Sequence, residues 1–121
     1  MKIATEILIA IVALEHLYIL WMEMFSWETV GKRVFKKSLP EELFKQTKGL
    51  AANQGLYNGF LAAGLIWSFF ITNLEWKENV ALFFLSCVAL AGIYGALSAD
   101  KKIFFIQSLP AILAMVLLLM Y

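Results

Sequence analysis

Three stretches of this 121-residue chain, residues 50–72, 79–99 and 103–121, contain no charged side chain. A fourth, residues 3–25, is also strongly apolar but carries Glu6, Glu15, His16 and Glu23. A helix that crosses a bilayer needs roughly 20 mostly apolar residues, and each stretch meets or approaches that length. Hydrophobic residues make up 62% of the chain and charged residues 16%. A soluble domain this small has too much surface for its volume to hide so much apolar material, and a disordered chain needs the opposite composition. The pattern predicts an all-α membrane protein: a bundle of four transmembrane helices forming one domain over residues 1–121. Alternation at period two, the mark of a membrane β-barrel, is absent. The single cysteine, Cys87, excludes an intrachain disulfide framework. A net charge of +1 gives no electrostatic case for nucleic acid.

Lys2 ahead of an apolar run resembles a signal peptide. Glu15 and His16 in the middle of that run, and the lack of a small-residue cleavage site after it, favour a mature helix instead. Eight of the ten lysines and arginines fall in the loops after the first and third stretches, and two, Lys2 and Lys77, fall on the other side. The positive-inside rule then places the basic loops in the cytoplasm and both termini outside. Trp27 and Trp76 lie just beyond span ends, where indole rings favour the headgroup zone. In the first loop, Ser38 and Glu41 have capping-box spacing with Pro40 in the first turn. They predict a short cytoplasmic amphipathic helix from Leu39 to about Lys48, with Leu43 and Phe44 resting on the bilayer. A solvated basic connector is the plainer alternative.

Ionisable groups in hydrocarbon cost roughly 2.5 to 3.5 kcal/mol each on insertion scales, so they point to function. On a helix His16 and Glu23 stand about 20° apart, and Glu15 lies in the same wedge. Glu15 and His16 fall at mid-membrane and Glu23 about 13 Å toward the cytoplasm. Asn53, Gln54, Asn58, Tyr94 and Gln107 fall in the same half of the bilayer. Gln54 and Asn58, four apart, share a face. The expectation is one polar pocket open to the cytoplasm and walled by all four helices. Glu15, His16 and Glu23 would supply charge for ligand binding or proton relay; Asn53, Gln54, Tyr57, Asn58, Tyr94 and Gln107 would supply hydrogen bonds. The plainer alternative is that these groups bond to one another and staple the bundle.

Other chemistries find less support. Adjacent Glu15 and His16 diverge, and the H-x-x-x-H spacing of helical zinc sites is missing, so no metal site is expected. No nucleophile elbow, phosphate-binding glycine loop or other cofactor motif occurs. Gly55 and Gly59, and Gly92 and Gly95 with their alanine neighbours, let backbones approach within the bundle or between subunits. Pro110 predicts a kink whose freed carbonyl Gln107 or water would satisfy.

The runs ALEHLYILWMEMFSW (Ala13 to Trp27), NQGLYNGFLAAGLIW (Asn53 to Trp67), AGIYGA (Ala91 to Ala96) and QSLPAIL (Gln107 to Leu113) resemble the domain-of-unknown-function 1304 family of small bacterial and fungal membrane proteins. The resemblance covers nearly the whole chain. It implies four spans in a cell (inner) membrane and no particular activity. The family's motif positions fall here on Glu15, His16, Glu23, Asn53, Gln54, Gly55, Tyr57, Asn58, Gly92, Tyr94, Gly95, Gln107 and Pro110.

Four functions compete. The first is a membrane protein that binds a small molecule or lipid headgroup. The second is a proton-coupled transporter, similar by fold analogy alone to the small multidrug exporters. The third is a small membrane enzyme with Glu15 and His16 as acid and base. The fourth is a structural subunit. The lipid bilayer and a small-molecule or lipid ligand are the expected partners, and a second copy of the chain is compatible with so thin a bundle.

Overall fold

Long apolar runs dictate the long elements of a computed structural model that describes residues 1–121. Helix α1 spans Ile3–Phe25 and buries Thr5, Ile9, Val12, His16 and Glu23, a stripe at steps of three, four and seven. Helix α4 spans Lys48–Phe70, α5 spans Leu74–Ser98 and α6 spans Leu109–Met120. Between α1 and α4 lie a π-helical turn at Trp27–Gly31 and two very short helices, α2 at Lys32–Val34 and α3 at Leu43–Gln46. The chain has no strand.

The long helices form a closed ring of neighbours: α1 packs on α4, α4 on α5, α5 on α6 and α6 on α1. At the ring's centre one apolar cluster draws Ile9, Val12 and Ala13 from α1, Leu65 from α4, Leu85 and Val88 from α5, and Ala111, Ala114 and Leu118 from α6. Only 24 of 121 residues are buried. Large apolar side chains such as Leu14, Trp67, Phe83 and Leu119 cover the outside.

The loops sort by end. Ser38 Oγ donates to Asp100 Oδ2 at 3.4 Å, so the two basic loops meet. At the opposite end Lys77 Nζ lies 3.5 Å from Glu6 Oε1, and Lys2 Nζ sits 3.6 Å from the ring centre of Tyr121.

Three sequence expectations need correction. The amphipathic helix over Leu39–Lys48 does not form. Leu43 N–H and Phe44 N–H bond only three residues back, to Pro40 and Glu41, and a four-residue helix follows. Thr47 Oγ1 then bonds the Leu43 carbonyl at 2.8 Å, and α4 starts afresh at Lys48. Phe44 is buried against Trp27, ring centres 5.0 Å apart, instead of lying on an outer face. The third long helix begins at Leu74, not Asn79, because Asn73 Oδ1 caps it by accepting from Trp76 N–H at 3.0 Å. Charged Glu75, Lys77 and Glu78 thus belong to the helix although they end the apolar run.

By length and composition two helices, α1 and α5, can cross a membrane. Helix α4 is as long, but Lys48, Asn53, Gln54 and Asn58 dilute its apolar character. The fourth apolar segment, Phe104–Met120, is shorter. It opens with a π-helical turn at Phe104–Ser108, in which Leu109 N–H reaches back to the Phe104 carbonyl. This wider turn leads into α6, where Pro110 sits in the first turn and a missing N–H costs little.

Candidate functional site

The best-defined polar cluster joins α1 to α4. Glu23 is 2% exposed. Its Oε2 accepts from Gln54 Nε2 at 2.8 Å and its Oε1 from Asn58 Nδ2 at 2.7 Å. Both amides reach one carboxyl group because they stand one helical turn apart on α4. Gly55, between them in sequence, brings the two backbones close: a Cβ there would stand 2.9 Å from both Glu23 Cβ and Met24 Cγ. Gly59 faces Leu20 one turn further along.

This cluster forms one wall of a cleft of about 680 Å³. Tyr57, Phe60, Tyr94 and Gln107 line it together with Trp27 and Phe35. Tyr57 and Tyr94 expose most of their surface. Trp27 is fixed by a bond from its Nε1 to Thr47 Oγ1 at 2.9 Å and by ring contacts with Phe35 and Phe44. Sequence reasoning read Trp27 as a headgroup anchor and did not select Phe35. Their place at the cleft depends on how the first loop folds back, which no local pattern signals.

Glu15 and His16 lie elsewhere. Glu15 is half-buried and lines a second, mostly apolar cleft of about 460 Å³ with Tyr18, Asp100, Lys102 and Gln107. Ile19, Phe35, Ile103 and Gln107 border both clefts. The single pocket expected from depth alone is therefore two clefts sharing a border. One Glu15 oxygen, Oε2, is buried without a partner. His16 is fully buried and lines neither cleft. Its Nδ1 bonds the Val12 carbonyl at 2.8 Å. A carbonyl only accepts, so Nδ1 carries the hydrogen, and Nε2 is buried without a partner. Asn53 is exposed and lines neither cleft.

On the far side of the cleft, α5 meets the π-helical turn. Ser108 Oγ donates to the Ala89 carbonyl at 2.7 Å, fully buried. A Cβ on Gly92 would collide with Ser108, and one on Gly95 would stand 2.9 Å from Ile103 Cγ2. No group of three His, Cys, Asp or Glu side chains converges as a metal site would require.

Fold and site together define a small all-helical protein in which a buried carboxyl group, held by two amides of the neighbouring helix, walls an interhelical cleft. The chain belongs to the family described as a protein of unknown function, DUF1304, whose model matches residues 10–119. It is 38% identical over 117 residues to the uncharacterized protein YpaA of Lactococcus lactis subsp. lactis (strain IL1403), covering 96% of this chain and 97% of that relative. No solved structure matches it.

Proposed function

We propose that this chain is a four-span membrane protein of the cell membrane that binds a small molecule or lipid headgroup in the cleft beside Glu23. The membrane reading is supported by the inside-out distribution of side chains. Leu14, Trp67, Phe83 and Leu119 are more than half exposed while Glu23 and His16 are buried, an arrangement water would penalise and acyl chains favour. At 1.5 Å per residue α1, α4 and α5 are each longer than a hydrocarbon core of roughly 30 Å. The apolar segment ending in α6 completes the set as a four-helix bundle. The basic loops lie together on the cytoplasmic side, with both termini outside.

One observation carries the ligand reading. Glu23, held by Gln54 and Asn58, joins α1 to α4, and the cluster walls an open cleft. Polar glue between spans fills its interface; here a 680 Å³ cleft stays open beside it. Native mass spectrometry of the protein extracted from its own membrane tests this. A bound small molecule is expected on the wild type and lost from Asn58→Ala. A bare protein in both samples overturns the reading. Impermeant maleimide labelling of single cysteines, in a Cys87→Ala background, tests topology. Cysteines at positions 38 and 101 should react only after permeabilisation, and those at 2 and 77 in intact cells.

The unpartnered Glu15 Oε2 and His16 Nε2 favour proton-coupled transport as a second reading. Proton-driven uptake into liposomes that disappears in Glu15→Gln would distinguish it from simple binding.

A further inference from the structure

We infer that the ligand of the Glu23 cleft is a protonated amine bearing an apolar tail. This rests on the binding reading above and adds the ligand's chemistry.

The inference follows from which hydrogen-bonding groups the cleft has left to offer. Its lining includes no lysine, arginine or histidine, and Glu23 is its sole acid. Several donors on its walls are already engaged. One amide N–H each from Gln54 and Asn58 goes to Glu23. Trp27 Nε1–H goes to Thr47, and the Ser98 hydroxyl goes to the Tyr94 carbonyl at 2.7 Å. With the NH2 groups of Gln54 and Asn58 turned to Glu23, each amide keeps its carbonyl oxygen as a remaining acceptor. The wall therefore offers a carboxylate and two amide carbonyls, with the tyrosine hydroxyls and Gln107 able to serve either way. A phosphate or carboxylate would meet no cation there and would share the cleft with the acid Glu23. An ammonium group supplies what is missing: positive charge and several N–H donors. Aromatic faces at Trp27, Tyr57 and Tyr94 add to its attraction. Phe60, Leu61, Ala91 and Ile103 line the rest of the cleft and would take a hydrocarbon tail.

The test is calorimetric titration of the full chain, purified in an uncharged maltoside detergent, with octylammonium, octyl phosphate and octanol. Octylammonium is expected to bind saturably and the other two not. Glu23→Gln should weaken it about tenfold or more, while Glu75→Gln, exposed in the first turn of α5 and lining neither cleft, should leave it within twofold. Should Glu23→Gln fail to fold, Tyr94→Lys serves. Position 94 is 74% exposed, so the new cation should abolish octylammonium binding without unpacking the helices. Saturable binding of octyl phosphate or octanol that Tyr94→Lys alters, without binding of octylammonium, overturns the amine while leaving the cleft a binding site. Binding of none of the three overturns the amine. The binding reading itself then stands or falls on whether a molecule co-purifies with the wild type. Added phosphatidylethanolamine that displaces octylammonium marks a lipid headgroup as the source of the amine, and no displacement marks a free amine.

Discussion

Glu23 on α1 and Gly55 on α4 meet at a contact that admits no side chain: a Cβ at position 55 would stand 2.9 Å from Glu23 Cβ and 3.2 Å from the Leu20 carbonyl oxygen. The second of these neighbours is backbone and cannot step aside. The missing methyl therefore sets the distance between the helices, and that distance lets Gln54 and Asn58 both reach one carboxyl group.

Gly55→Ala should push α1 off α4 and cost about 1–3 kcal/mol as an overpacked contact. Gly49→Ala, on the same helix but with nothing within 4 Å, should be neutral or stabilising by up to about 1 kcal/mol through helix propensity. Thermal or denaturant unfolding of the two variants in detergent checks the contrast. Equal effects would deny the close approach its role.

Asn58→Leu leaves Glu23 Oε1 buried without its donor and should cost about 1–3 kcal/mol. Glu23→Leu similarly strands both amides. Combined, the two substitutions should cost less than the sum of the single ones, because the second removes a group the first has already orphaned. A double-mutant cycle by equilibrium unfolding reads that coupling, and additive costs would mean the bond is idle.

Where α5 meets the π-helical turn, the expected ranking is different. Ser108→Ala removes a donor from a buried carbonyl and should cost about 1 kcal/mol. Gly92→Ala should cost more. Its methyl would meet not only Ser108 Oγ but also Ser108 N at 2.8 Å and Gln107 Cβ at 3.1 Å. The double variant should therefore fail to recover the stability of Ser108→Ala alone, measured again by thermal unfolding. Full recovery would place the whole clash on the hydroxyl.

How much of this was readable from the chain depends on the range of the interaction. The spacing of Gln54 and Asn58 is local, and it put them on one helix face. Placing Glu23 near them needed only a count of depth along two antiparallel helices. Helix ends were less legible. Leu74 starts α5 because of a side-chain cap from Asn73, while the drop in hydropathy at Glu75 to Glu78 suggested a later start. The Leu39–Lys48 segment has a capping-box spacing, yet the fold uses its Phe44 and Thr47 to hold Trp27, a tertiary demand that overrides the local signal. Helical phase grouped Glu15 with His16 and Glu23. An arc of that width spans two grooves between α1 and its neighbours, so the three side chains reached different surroundings.

His16 separates stability from function. Its Nδ1 bonds the Val12 carbonyl inside the continuous helix α1, and its Nε2 lies buried with no partner. For packing alone a leucine would serve better, since it fills similar volume with no polar atom to desolvate. His16→Leu should accordingly leave stability unchanged or raise it by about 1–2 kcal/mol. A residue that costs stability persists where activity requires it. The same variant should therefore lose proton-driven uptake in liposomes, if transport is the activity, while melting at or above the wild-type temperature. A clear loss of stability in His16→Leu would instead make the imidazole part of the scaffold and leave Glu15 alone beside its cleft.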